Sequence, residues 1–267
     1  MSNPAETYES YMVPTLFAPW ASYLIQSANP QPGERVLDMA CGTGIIARRV
    51  ATRVGSNGKV IGLDLNPNML TVARAAAERE GLAIEWREDR AEKLPFQDGS
   101  FDLVLCQFAL MFFADRHAAL AEMHRVLTKG GRVSLSVWQG LERHPFYQTL
   151  DDVIQRRLGM SGVQEPFALG DAGELRTLLT EAGFQHVEIE PVSMTARFPD
   201  PEGFLAGEID VDTAAIPSMQ HLDARARQAL IAAIREDMAA PLREVTQDNH
   251  VVLPFHAHIA RAERRLA

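Results

Sequence analysis

The stretch VLDMACGTGIIARR, residues 36–49, decides how this chain folds. A run of apolar residues stops at a carboxylate, Asp38. It then collapses into Ala40, Cys41, Gly42, Thr43 and Gly44 and restarts with the spacing of a helix. Glycines between a strand and a helix let the backbone come close to a ligand and point free N–H groups at it. The segment therefore reads as strand, ligand-binding turn and helix, and the neighbouring sequence must say which ligand.

Outward from that turn, short β-rich runs alternate with helical ones from Gly33 to Trp138. RVLDMA (35–40), KVIGLDL (59–65), AIEWRED (83–89), FDLVLCQFAL (101–110) and RVSLSVW (132–138) read as five strands. GIIARRVATRV (44–54), PNMLTVARAAAERE (67–80) and DRHAALAEMHRVL (115–127) read as helices. Pro67 suits a first helical turn, and TKGG (128–131) reads as a glycine C-cap ending the third helix. Strands rich in Val, Ile and Leu that alternate with helices predict a parallel sheet covered on both faces, a doubly wound α/β domain. ELRTLLTEAGF (174–184) adds a helix, HVEIEPVSMTARF (186–198) a sixth strand and HVVLPFHAHIARAERR (250–265) a last one, for a seven-stranded, mostly parallel Rossmann-like sheet. Residues 1–30 form an aromatic-rich N-terminal cap. Residues 31–198 and 250–267 form the α/β core. The helical insert 199–249 sits where a substrate lid belongs.

A chain of 267 residues with 46% hydrophobic and 23% charged residues is an ordinary globular protein with one large core. Its net charge of -9 repels phosphate backbones, which argues against a nucleic-acid partner. No apolar run approaches the roughly 20 residues that cross a bilayer. MSNPAETYES, the N-terminus, has neither the basic nor the apolar region of a signal peptide, so a cytoplasmic location is expected. Cys41 and Cys106 are too few for a disulfide framework or a sulfur-ligated zinc, and read as reduced apolar fillers.

Asp64 ends the second strand, 20 residues after Gly44. A carboxylate there can accept both hydroxyls of a ribose. By itself this serves NAD, FAD or S-adenosylmethionine. The spacing separates them: dinucleotides want G-x-G-x-x-G, whereas position 47 is alanine. Asp38 beside the turn would repel a diphosphate but support a ligand bearing an ammonium.

On these residues the chain resembles a class I S-adenosylmethionine-dependent methyltransferase, of the small-molecule group that includes the ubiquinone/menaquinone-biosynthesis enzymes. LDMACGTG (37–44) is similar to the first motif, with Ala40 where many members have glycine. GLDLNPNML (62–70), REDRAEKLPF (87–96) and FDLVLCQFALMFF (101–113) follow in order. The resemblance implies Asp64 on the ribose, Leu65 and Met69 near the adenine, and Asp89 toward the adenine amino group with Arg90 and Ala91 flanking. It also implies Gln107 and Phe108 beside the cofactor. The implied reaction is attack of a small-molecule acceptor on the sulfonium methyl, leaving S-adenosylhomocysteine, with oxygen favoured slightly over nitrogen.

The acceptor site is less legible. His144, just beyond the fifth strand, is the candidate base or substrate contact, against the alternative of a surface-loop histidine. Tyr8, Tyr11 and Trp20 could fold over the cofactor mouth. Phe108, Trp138, Phe146 and Tyr147 could line an apolar pocket, while Phe112 and Phe113 are assigned to helix packing. His256 and His258 share a strand face, but no nearby carboxylate supports a metal. Where nucleic-acid amino-methyltransferases carry Asx-Pro-Pro-aromatic, this chain reads CQFA (106–109). An S-adenosylmethionine-binding cyclase and a non-catalytic binding module stay open as alternatives, and so does a homodimer.

Overall fold

A computed structural model describes residues 4–214 and 223–265. Part of the expected lid, residues 215–222, lies outside the described residues, as do the first three and last two. The chain divides into two compact units. Unit 1 comprises Met1–Val137, Asp171–Val192 and Ala257–Ala267; unit 2 comprises Trp138–Gly170 and Ser193–His256. Unit 2 thus takes in the segment after the fifth strand as well as the helical region expected from sequence.

Unit 1 opens with the short helix α1 (Pro4–Thr7), a π-helical stretch over Tyr8–Phe17 that contains Pro14, and α2 (Ala18–Ala28). Then come β1 (Arg35–Met39), α3 (Ile45–Val54), β2 (Lys59–Asp64), α4 (Pro67–Arg79), β3 (Glu85–Glu88) and β4 (Phe101–Gln107). After these come α5 (Arg116–Val126), β5 (Leu127–Trp138), α6 (Pro145–Leu158), α7 (Ala172–Glu181) and β6 (Gln185–Pro199). The described chain continues with α8 (Pro201–Ala214), α9 (Ala224–Glu244), β7 (Thr246–Gln247) and β8 (His250–Glu263). The sheet order is β3-β2-β1-β4-β5-β8-β6, the seven strands expected, with the two-residue β7 paired to β8. β1 pairs parallel with β2 and β4, and β4 with β5. The chain leaves β1 toward β2 and β3 on one side and then crosses from β3 to β4 on the other, which places a crevice at the C-terminal end of β1, where ligands bind in such sheets.

Local chemistry explains the boundaries. Asn66 accepts the Asn68 N–H at 3.0 Å, and Pro67 takes the first helical position of α4, where its missing N–H costs nothing. Asp115 and Asp171 cap α5 and α7 in the same way. Val36, Leu37, Met39, Leu103, Val104 and Leu105 are almost wholly buried, as central strands covered on both faces require.

TKGG differs from its expected role. α5 ends at Val126, and Gly130 and Gly131 belong to β5. The Gly130 N–H bonds to Arg264 O at 2.9 Å, and the Arg264 N–H returns to Gly131 O at 2.8 Å. With Gly130 at φ +77° this is a glycine β-bulge, two residues facing one. A glycine with positive φ serves a C-cap or a bulge equally well, and the pairing with β8 decides between them. A further bond, Gln139 N–H to His256 O at 2.9 Å, keeps the same antiparallel register between β5 and β8.

Candidate active site

The glycine turn owes its shape to three groups. Ala40, Gly42 and Gly44 all have positive φ, at 54°, 54° and 83°. The Asp64 carboxylate reaches back across the crevice, its Oδ2 accepting the Gly42 N–H at 2.7 Å and its Oδ1 the Asn66 N–H at 2.8 Å. Each oxygen keeps a lone pair for a further donor. Asp38 is 1% exposed and accepts the Ala47 N–H of α3 at 2.9 Å. Burial pushes its carboxyl up to about 8, the neighbouring charge of Asp64 adding to the effect and Arg48 opposing it.

The glycines divide by role. A side chain at Gly44 would begin 2.4 Å from the Trp86 indole, and one at Gly62 also 2.4 Å from it. Trp86 of β3 therefore lies flat across two glycines, and Gly44 is glycine for packing as much as for any ligand. At Gly42 the space is open until the Tyr8 ring, 3.9 Å away.

A cavity of about 120 Å³ lies beside the turn, walled by Ala40, Asp64, Leu65, Asp89, Arg90 and Ala91 among others. Six residues expected at the cofactor thus meet in one place. Leu65 is 57% exposed and Phe112 50% exposed, large apolar side chains left facing this cavity. Phe112 and Phe113, assigned to helix packing from sequence, line it instead. Apolar residues after a strand read as core, and only the 3-10 turn Leu110–Phe112 turns them outward. Two apolar walls with carboxylates at the rim suit a flat ring carrying N–H and O–H donors. Met69 is half-buried on α4 and is not among the cavity walls. Gln107 donates its amide to Phe17 O at 3.0 Å and so holds the N-terminal segment.

That segment is tied down by an arginine the sequence did not single out. Arg48 of α3, 4% exposed, pairs with Glu9 at 2.7 Å and Glu80 at 3.0 Å and also bonds Thr43 O in the turn. Tyr8 stacks on Phe17 with centroids 5.2 Å apart, and burial raises its phenol well above the ordinary range. Tyr11 is half-buried on the same segment. Trp20 and Phe108 meet edge to face at 5.6 Å, and both are buried. Within unit 1 they are packing residues, not walls of the described cavity. Burial raises both thiols, Cys106 to about 12, so neither is a nucleophile at neutral pH.

Unit 2 gathers Trp138, His144, Phe146, Tyr147, Phe198 and Phe255 into one aromatic cluster, for example Trp138–Phe255 at 5.3 Å and Tyr147–Phe255 at 5.7 Å. Trp138, Phe146 and Tyr147 are each less than 9% exposed. His144 corrects both sequence readings, base and surface residue. It is 1% exposed, its Nδ1 faces Gly140 O at 3.2 Å, and its Nε2 accepts the His256 N–H at 3.1 Å. Burial pulls the imidazole down to about 4. With Nδ1–H donating and Nε2 accepting, no ring nitrogen is left to take a substrate proton. His144→Ala should cost about 3 kcal/mol, two buried hydrogen bonds and a packed ring. A depressed histidine pKa means the unfolded chain binds more protons between pH 6.5 and 4, so this group removes stability as pH falls through that window. Urea unfolding at pH 7 and pH 5 should show a smaller acid loss in the variant. The sequence also missed Glu208 of α8, whose carboxyl burial raises to about 7 and which shares a hydrogen bond with Tyr147.

The sheet order and the crevice at Asp38–Gly44 define a class I methyltransferase domain, and the comparisons agree. A methyltransferase-domain family profile matches residues 36–131. The ubiquinone/menaquinone biosynthesis C-methyltransferase UbiE of Cupriavidus metallidurans is 34% identical over 183 residues, 63% of this chain and 74% of that protein. The Stenotrophomonas maltophilia UbiE is 44% identical over 115 residues, 42% of this chain, and that match spans 46% of the relative's length, a little under half. Phosphoethanolamine N-methyltransferase 2 of Haemonchus contortus, in complex with S-adenosyl-L-methionine, superposes with a TM-score of 0.56 at 21% identity over 92% of this chain and 52% of that one, which shows the fold. The chain belongs to the class I S-adenosylmethionine-dependent methyltransferase family. Among the described residues, no helix is long and apolar enough to cross a membrane.

Proposed function

We propose that this protein transfers a methyl group from S-adenosylmethionine to a nucleophilic atom of a small, apolar, aromatic acceptor. The observation that carries the reading is the cradle: a glycine turn bounded by Asp38 and Asp64, beside a cavity walled by the exposed Leu65 and Phe112. These residues suit the cofactor group by group. Asp64 has lone pairs for ribose hydroxyls, Leu65 and Phe112 offer apolar faces to adenine, Asp89 can accept from its amino group, and Asp38 can oppose an ammonium. Bound there, the cofactor supplies an electrophilic sulfonium methyl for in-line attack. The chain's own contribution is alignment and exclusion of water, and Tyr8 over Gly42 serves the second.

The sequence favoured oxygen or nitrogen as the acceptor atom. The names of the UbiE relatives favour carbon, so we infer a ring carbon activated by a neighbouring phenol or enol hydroxyl. Removing that hydroxyl's proton enriches the carbon in electrons. The net charge of -9 supports a small molecule over nucleic acid, and a cytoplasmic protein is the corresponding reading of its location.

The test is incubation with methyl-labelled S-adenosylmethionine and a panel of hydroquinones, naphthols and phenols, followed by NMR of the product. Label on a ring carbon with release of S-adenosylhomocysteine is the expected result. Label on oxygen or nitrogen would overturn the carbon assignment alone. Binding without turnover, or acceptor turnover without S-adenosylhomocysteine, would replace the reading by a binding module or a cyclase.

A further inference from the structure

Within unit 1 the N-terminal arm occupies room that a cofactor of the proposed size needs. Tyr8 projects over the glycine turn, its ring 3.9 Å from the point where a side chain at Gly42 would begin. Burial and then the charges of Asp64, Glu9 and Asp38 raise its phenol, so the ring lies at the two acids that flank the turn. The open cavity beside the turn measures about 120 Å³. Small-molecule sites run to roughly 300–1,000 Å³, and a nucleoside joined to an amino acid does not fit in the smaller space. The room that is lacking lies over Gly42, under the Tyr8 ring.

The arm is anchored at one end and only latched at the other. Gln107 holds Phe17 O, and Arg49 bonds Ala18 O and, at 2.6 Å, the Ser22 hydroxyl, so the chain is fixed where α2 begins. Val13 and Leu16 are buried just before that point, but from Pro4 to Met12 the one wholly buried apolar residue is Ala5. The stretch is π-helical and contains Pro14, a conformation rare enough to mark functional segments. Segments with so few buried apolar contacts open at low cost. The Tyr8–Phe17 ring contact and the Glu9–Arg48 pair hold this part down. The latch is built to release. Glu9 Oε2 and the Thr43 hydroxyl are buried with no hydrogen bond among the described residues, so the closed arm leaves two polar groups unsatisfied. Breaking a buried ion pair is costly when it strands a charge. Here Arg48 keeps Glu80 and Thr43 O when Glu9 leaves, and Glu9 moves into water.

We propose that residues 4–12 are a plug: Tyr8 fills the amino-acid end of the cradle, and the Glu9–Arg48 latch must release before S-adenosylmethionine can enter. This rests on the reading of the cradle as the cofactor site. The full chain has four tyrosines, Tyr8, Tyr11, Tyr23 and Tyr147, and 3-fluorotyrosine gives each a ¹⁹F resonance that Tyr→Phe variants assign. S-Adenosylhomocysteine should move the Tyr8 resonance and leave Tyr23 in place. Glu9→Gln alone should move Tyr8 toward its solvent-exposed position, with Tyr23 and Tyr147 unmoved as the sign of an intact fold. The same variant should speed association of S-adenosylhomocysteine by about 10-fold, the worth of one charge-assisted hydrogen bond, read by stopped-flow tryptophan fluorescence. Tyr8→Ala, which removes the ring and leaves the latch, should speed it as well. A ligand-induced rise in melting temperature with the Tyr8 resonance unmoved, or association rates unchanged in both variants, would overturn the plug and leave the cofactor reading standing. No rise in melting temperature for wild type or variants would overturn the cofactor reading, and the plug with it.

Discussion

Asp38→Asn should lower affinity for S-adenosylhomocysteine by about 100-fold, within the roughly 2–5 kcal/mol lost when one partner of a buried charge pair is removed. The same change should leave the ligand-free protein as stable as before at pH 8, or make it more stable. Burial pushes the Asp38 carboxyl up to about 8, so the free protein holds it largely neutral below that pH, and asparagine mimics the neutral form. The Ala47 N–H keeps its acceptor in the amide oxygen. The sign of the pH effect follows. A carboxyl raised in the folded state binds more protons there than in the unfolded chain, so this group removes stability as pH rises from about 4 to 8. A ligand ammonium favours the ionised form, so affinity should climb across pH 6–8 with release of a proton. Calorimetric titration in buffers of different ionisation enthalpy reads that proton directly. In Asp38→Asn the proton release should vanish.

Gly44→Ala should lower the melting temperature by about 10 °C, from an expected loss of about 2–4 kcal/mol. Two effects add. The residue sits at φ +83°, where a side chain crowds its own carbonyl, and the new methyl would begin 2.4 Å from the Trp86 indole and 3.3 Å from the Ala73 methyl. Trp86→Leu should relieve the second effect and not the first. The double variant should therefore lose less stability than the sum of the two single ones, a coupling expected for residues in direct contact. Circular-dichroism melts of the four proteins make the cycle. Simple additivity would mean that the indole moves aside freely and that Gly44 is there for its backbone alone.

These two positions also show where sequence reading succeeds and stops. Asp38, Gly42, Gly44 and Asp64 are legible because their chemistry is local: a strand, a turn and a second strand placed at fixed separations, with side-chain types that match one ligand better than its rivals. The doubly wound sheet is legible for a similar reason, since alternation of apolar strands with helices leaves few sheets to build. What the sequence could not show depends on partners far along the chain. Trp86 lies across Gly44 and Gly62, a contact over some forty residues. Arg48 meets Glu9 through the N-terminal segment, and nothing in the α3 pattern marks it as buried. Phe112 carries the pattern of a core residue but ends half exposed, because a short 3-10 turn reverses its direction. His144 looks like a loop histidine because its two partners are backbone groups, which have no signature in side-chain sequence. Gly130 and Gly131 have the composition of a helix stop, and only the strand opposite them makes a bulge.

The central claim is that the cradle takes S-adenosylmethionine, and thermal unfolding with added ligand tests it most directly. Each of S-adenosylmethionine, S-adenosylhomocysteine and NADH is added separately at a concentration well above micromolar. A ligand held at 100 times its dissociation constant adds about 2.7 kcal/mol, a rise of roughly 5–10 °C for a chain of this size. The account predicts that rise with the first two and none with NADH, and its disappearance in Asp64→Ala. A shift with NADH alone, or none with either sulfur ligand, would contradict it.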